Sequence, residues 1–101
     1  MIRHIIMFKL KECANETERL LMAQSVKTEL EKLKDKIAVI KFLEAGINVV
    51  DLPFAYDLVL NTDFETMEDL EAYRAHPAHK EFIEFNKNFS VSKVSVDFIT
   101  N

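Results

Sequence analysis

The sequence predicts an α+β domain of order β-α-β-β-α-β, with four strands in one antiparallel sheet and the helices gathered on one of its faces. Three observations predict it. Alternation of period two recurs in four separated segments; the segments between them carry apolar residues at steps of three and four; and the 101 residues hold enough chain for one core. With one glycine and two prolines no linker stands out, so residues 1–101 are read as a single domain.

The first strand runs from Ile2 to Leu10, where Ile2, His4, Ile6, Phe8 and Leu10 alternate with Arg3, Ile5, Met7 and Lys9. The second set still carries Ile5 and Met7, whereas a face left in water would be polar. Something must cover that face. Asn15 and Glu18 have the spacing of a capping box, and Leu20, Ala23, Val26, Leu30, Leu33 and Ile37 follow at steps of three and four. They predict a helix over residues 16–35, with Glu16, Arg19, Lys27, Glu31, Lys34 and Asp35 as its solvated face.

Residues 37–48, with Val39, Ile40, Phe42, Leu43 and Ile47, read as the second strand, and Gly46 marks a bulge or exit. Residues 49–54 form a loop, because Pro53 cannot donate to a ladder and restricts Leu52. This loop is unusually apolar, which fits packing on a partner chain. Residues 55–64 alternate Tyr56, Leu58, Leu60, Thr62 and Phe64 with Asp57, Val59, Asn61 and Asp63, the third strand. Thr66 and Asp69 repeat the capping-box spacing and open a second helix with Met67, Leu70 and Tyr73 on one face. Pro77 ends it. Because proline is favoured at the first helical position, His76 and Pro77 start a further short helix through Phe82, Ile83 and Phe85. Residues 91–100 alternate again as the fourth strand.

This order is that of a ferredoxin-like sandwich, whose helices cover one face only. The other face carries Ile5, Met7 and residues like them from strands two and four, an apolar patch that marks an interface. A symmetric homodimer joining two sheets face to face would bury it.

Composition narrows the function classes. Thirteen basic residues are scattered among seventeen acidic ones, for a net charge of −4, so nucleic acid is not expected as a partner. The apolar N-terminal run is interrupted by charge and too short to span a bilayer, so no membrane association and a cytoplasmic location are expected. Cys13 is alone, which excludes an internal disulfide and a CxxC metal or redox site. One glycine rules out a phosphate-cradling loop, and no cofactor is expected. No metal site is expected either: His76-x-x-His79 spans a proline turn, and no Cys or Glu stands at a recognised ligand spacing. Phe82, Phe85 and Phe89 at helical spacing read as core.

The segments Ala55-Tyr56-Asp57-Leu58-Val59-Leu60, Phe64-Glu65, Leu70-Glu71-Ala72-Tyr73 and His76-Pro77-Ala78-His79 resemble the middle of the stress-responsive A/B barrel (Dabb) family. The opening Ile2-Arg3-His4-Ile5-Ile6-Met7-Phe8-Lys9 and the closing Val94-Ser95-Val96-Asp97-Phe98 are similar to its two ends. The resemblance implies a ferredoxin-like protomer pairing into a dimeric α/β barrel, in a family often stress-induced and mostly uncharacterised. The same segments resemble a plant polyketide cyclase of that family, in which a tyrosine and the second histidine of the motif act as acid and base in an intramolecular aldol closure. By position those roles fall on Tyr73 and His79, with the first-strand histidine at His4. That cyclase has a further histidine where this chain has Leu58, so its substrate is not carried over.

The predicted topology brings His4, His76, His79 and Tyr73 to one region, the last three at steps of three. A neutral imidazole there can abstract a proton near neutral pH, and a phenol beside it can hydrogen-bond a developing enolate oxygen. The candidate catalytic set is therefore His79, Tyr73 and His4, with His76 and Tyr56 as ligand-contacting residues. Structural roles compete for each: a histidine before proline serves as a helix cap, His4 as a hydrogen-bonded core residue, and Tyr73 as core with its hydroxyl satisfied. Two functions follow as expectations. One is a dimeric, stress-associated or small-ligand-binding protein. The alternative is a cofactor-independent cyclase, lyase or isomerase acting on a small, polyketide-like carbonyl compound, with His79 as base and Tyr73 as acid.

Overall fold

The alternation at the N-terminus becomes β1 (Ile2–Leu10) in the computed structural model, which describes residues 1–101. β1 lies between β3 (Leu58–Phe64) and β4 (Ser90–Ile99), and β2 (Phe42–Ile47) lies outside β3, so the antiparallel sheet has the order β2-β3-β1-β4. His4, Phe8 and Leu10 point to the helix side and are buried, whereas Met7 on the other face is 40% exposed.

α1 (Glu16–Lys36) starts as expected: the Asn15 side chain accepts from the Glu18 N–H at 2.9 Å. Ala23, Val26, Leu30 and Leu33 enter the core. Leu20, expected on the same stripe, stays exposed, because the first turn is held through charge: Arg19 bonds Glu16 and reaches Asp57. The second strand begins at Phe42 instead of residue 37. The Ile37 N–H still donates to the Leu33 carbonyl at 2.9 Å, and Ile40 closes a turn on Ile37 at 3.2 Å. Ile37 and Ile40 are buried, so their apolar character serves the core beneath a turn. The third strand likewise begins at Leu58, since Ala55 is turned back onto the Leu52 carbonyl. Gly46 makes no bulge. It pairs in register with Val59, whose Cγ1 would stand 3.3 Å from an added Cβ.

Thr66 caps α2 (Met67–Ala75) by accepting from the Asp69 N–H at 3.1 Å, and α3 (Pro77–Asn86) follows across the His76-Pro77 break. α1 lies over β1, β2 and β3 and α2 over β3, while α3 packs on the other two helices and sets Phe82 edge-on to Phe8, ring centres 6.0 Å apart. Leu70, Tyr73 and Phe82 join the core. This cover leaves the helix side of β4 open.

No element covers the other sheet face. Met7, Phe42, Val94, Val96 and Phe98 are all exposed there, beside the bidentate Arg3–Asp63 pair at 2.9 and 3.1 Å. Asn61 on this face holds the one fully buried side-chain polar atom without a hydrogen-bond partner, its Oδ1. The apolar loop between β2 and β3 also stands out into solvent, Val49 and Phe54 most of all. No helix is long and apolar enough to cross a membrane.

Candidate functional site

Because the helical layer stops short of β4, a cavity of about 260 Å³ remains between α3 and strands β1 and β4. Ile6, Phe8 and Leu60 line it from the sheet and Phe82 and Ile83 from α3, while His4, Tyr73 and His79 supply polar groups at one end.

His4 is placed by register: β1 and β4 pair it directly with Asp97, and its Nδ1 lies 2.5 Å from the Asp97 carboxylate. A carboxylate only accepts, so Nδ1–H donates and Nε2 is left as an acceptor. Asp97 is held in turn by Arg74 at 3.5 Å. His79 sits one turn into α3 and is oriented in a similar way. Its Nδ1 lies 3.1 Å from the Arg74 carbonyl, which accepts, so Nε2 is again free.

The Tyr73 ring lies 4.5 Å from that of His79 and 6.2 Å from that of His4, backed by Phe64 at 5.1 Å. Burial pushes the Tyr73 hydroxyl up to about 12, so near neutral pH it is a phenol that donates. The hydroxyl bonds no group in the chain, and since Asn61 Oδ1 is the only fully buried atom of that kind, it stays open to the cavity.

Burial lowers the His79 pKa below its ordinary value of 6.5, against the opposing hydrogen bond to the Arg74 carbonyl and with nearby Lys93 and His4 adding to the depression. A depressed folded-state pKa means the unfolded chain binds the proton more readily. The associated stability is therefore complete above pH 6.5 and is lost as pH falls through the folded value. His79→Phe, which cannot take up that proton, is expected to lose less thermal stability than the wild type between neutral pH and mild acid; melting curves across that range check it.

Tyr73, His79 and His4 thus converge, and the other two residues named from the sequence do not. His76 is the N-cap of α3: its Nδ1 accepts from the Ala78 N–H at 3.0 Å. Tyr56 lies against the uncovered face, its hydroxyl 3.1 Å from Ser92 Oγ, in a separate hollow with Met7, Phe54, Val59 and Val94. Asp97 is the functional group that sequence reasoning missed. It sits among the polar positions of β4, and only the β1–β4 register reveals His4 as its partner. No three His, Cys, Asp or Glu side chains converge so as to hold a metal ion. Cys13 packs its sulfur 3.9 Å from that of Met22, and burial and Glu18 push its thiol pKa up, which suppresses the reactive thiolate.

Comparison with known proteins places this geometry. The stress responsive A/B barrel domain family matches residues 2–100. An uncharacterised protein of Streptomyces coelicolor is 31% identical over 90 residues, 89% of this chain and 91% of that protein. A dimeric protein of unknown function and ferredoxin-like fold from Bacteroides fragilis superposes with a TM-score of 0.81 at 29% identity, covering 96% of this chain and 93% of that one. A hydroxynitrile lyase from Passiflora edulis shares the fold, with a TM-score of 0.80 at 15% identity over 99% of this chain and 93% of that one.

Proposed function

Because the chain belongs to the stress responsive A/B barrel domain family, we propose that it works as a homodimer in which each protomer holds a small, largely apolar, oxygen-bearing compound in the cavity between α3, β1 and β4. The observation that carries this reading is the Tyr73 hydroxyl. The residue is only 3% exposed, yet its hydroxyl has no partner in the chain and opens on the cavity. A hydrogen bond of this kind contributes about 0.5–1.5 kcal/mol net when the hydroxyl exchanges water for a fixed partner. A ligand oxygen accepting from it gains that bond, and the apolar walls of Ile6, Leu60, Phe82 and Ile83 take the rest of the molecule.

A second reading is favoured by the two anchored imidazoles. His4 held by Asp97, and His79 held by the Arg74 carbonyl, each present Nε2 as a base beside a neutral phenol. That set suits proton transfer next to a carbonyl: His79 removes a proton from carbon, and Tyr73 donates to the developing enolate oxygen. The dimeric relative has no known function, and the relative that is a lyase is too distant in sequence to lend its activity.

One screen tests both. Small ketones and phenols are scored by thermal shift on the wild type, Tyr73→Phe and His79→Ala, and each ketone hit is then followed for solvent deuterium entering beside its carbonyl. A hit whose shift falls at least about tenfold in apparent affinity in Tyr73→Phe, the loss of about one buried hydrogen bond, supports the binding reading. Hits indifferent to both substitutions sink it. Deuterium entry that disappears in His79→Ala while binding persists supports the second reading, and no entry with the wild type removes it.

A further inference from the structure

The charge of the cavity differs from that of the chain around it. Acidic residues outnumber basic ones by seventeen to thirteen over the whole sequence, yet the cavity lining contains no Asp or Glu. It does contain Lys87 and Lys93. Lys93, exposed on β4 directly across from Phe8, makes no ion pair with any carboxylate of the chain. Lys87, at the end of α3, is paired only with the exposed Glu84, a contact of the kind that contributes little and is readily exchanged. The nearest acid behind the histidines, Asp97, is already engaged by His4 and Arg74.

The neutral polar groups have the same bias. Asn86 is 8% exposed and lines the cavity; its Oδ1 accepts from Ser90 Oγ at 2.7 Å, and its amide N–H groups donate to nothing in the chain. Tyr73 offers a phenolic O–H. An unpaired ammonium and a free amide N–H pair thus stand together on the Lys93–Asn86 side of an apolar interior, away from the imidazole acceptors of His4 and His79 at the Tyr73 end.

From this lining we propose that the ligand of the cavity is a small monocarboxylate with an aromatic or aliphatic body, its carboxylate at the mouth between Lys93 and Asn86 and its body against Phe8, Phe82 and Ile83. The inference rests on the cavity being the binding site and adds the charge of what it binds. An ammonium that has no internal partner keeps its full attraction for an incoming anion, and the apolar walls lower the local dielectric in which the pair meets. A bound anion next to His79 also offsets the positive field of Lys93 that helps to keep that imidazole neutral.

The test is an NMR titration of the full chain at low salt with matched pairs: hexanoate, phenylacetate and cinnamate against hexanamide, phenylacetamide and cinnamamide. The expected result is that the acids shift the backbone signals of Tyr73, His79 and Lys93 and bind at least about fivefold more tightly than their amides, an advantage that shrinks as salt is added. Lys93→Gln is expected to abolish most of that advantage and Lys93→Arg to retain it; Lys93 is exposed on a strand, and the unchanged remainder of each spectrum verifies the fold. Acids and amides binding equally at the cavity would overturn the charge inference and leave the binding site standing. Silence at the cavity from every acid likewise overturns this inference, and the ketone and phenol screen then decides the binding reading separately.

Discussion

Replacing Phe64 with alanine is expected to cost about 3–5 kcal/mol, the range for removing a large aromatic side chain from a core. Phe64 closes β3 with no exposed surface and packs its ring 5.1 Å from Tyr73. Its loss removes apolar burial and leaves a void that the sheet, pinned by pairing of Phe64 with Ile2, is poorly placed to collapse into. For a chain of this size the whole stability is of order 5–15 kcal/mol, so the variant is near the limit of folding. Urea unfolding at matched protomer concentration measures it: the midpoint should fall with the slope unchanged. Phe64→Leu, which keeps most of the volume, should lose far less. A loss below about 1 kcal/mol for alanine would mean that Tyr73 is not backed as described.

Met7→Lys is expected to break the dimer while leaving the protomer folded. Met7 lies at the centre of the uncovered sheet face, directly between Val59 on β3 and Val94 on β4. At 40% exposure in the single chain, a lysine there can reach water at little cost. In a symmetric pair of sheets the same substitution brings two ammonium groups into one apolar layer, each with a desolvation penalty of several kcal/mol. Dissociation should strengthen by at least about a hundredfold, equivalent to about 3 kcal/mol. Light scattering at micromolar protein should report a dimer for the wild type and a monomer for the variant, with far-ultraviolet circular dichroism nearly unchanged. A variant that remains dimeric would place the interface elsewhere.

What was legible in the sequence was what local chemistry decides. Asn15 and Thr66 announce their helices because a cap and the N–H it accepts are three residues apart, and Pro77 opens α3 because its ring is compatible only with a first turn. β1 was legible because its two faces differ. The misplaced strand ends share a cause: Ile37 and Ile40 are as apolar as strand residues, and only the turn bonds formed by the folded chain assign them to the helix exit. For the site, Tyr73 and His79 flank the His76-Pro77 break, and the even spacing hid that His76 between them turns away to cap α3. The His4–Asp97 pair spans nearly the whole chain and exists only through the β1–β4 register. Tyr56 shows the converse. Alternation alone would carry it with Leu58 to the helix side, yet the turn before β3 delivers its hydroxyl to Ser92 on the other.

The lone oxygen of Asn61 bears on how two such sheets would choose their mutual angle. Contact between apolar surfaces is non-directional, and two greasy sheets can slide over one another at small cost. The Asn61 oxygen is shut off from solvent and unpaired already in the separate chain, so its cost of about 1–3 kcal/mol is present before any partner arrives. An alignment that lets the Asn61 side chain turn towards a partner N–H or a trapped water would recover that cost, and one that leaves it as it stands in the separate chain would not. In a pair of sheets joined at this face, Asn61 would then act as a detent in an otherwise slippery surface.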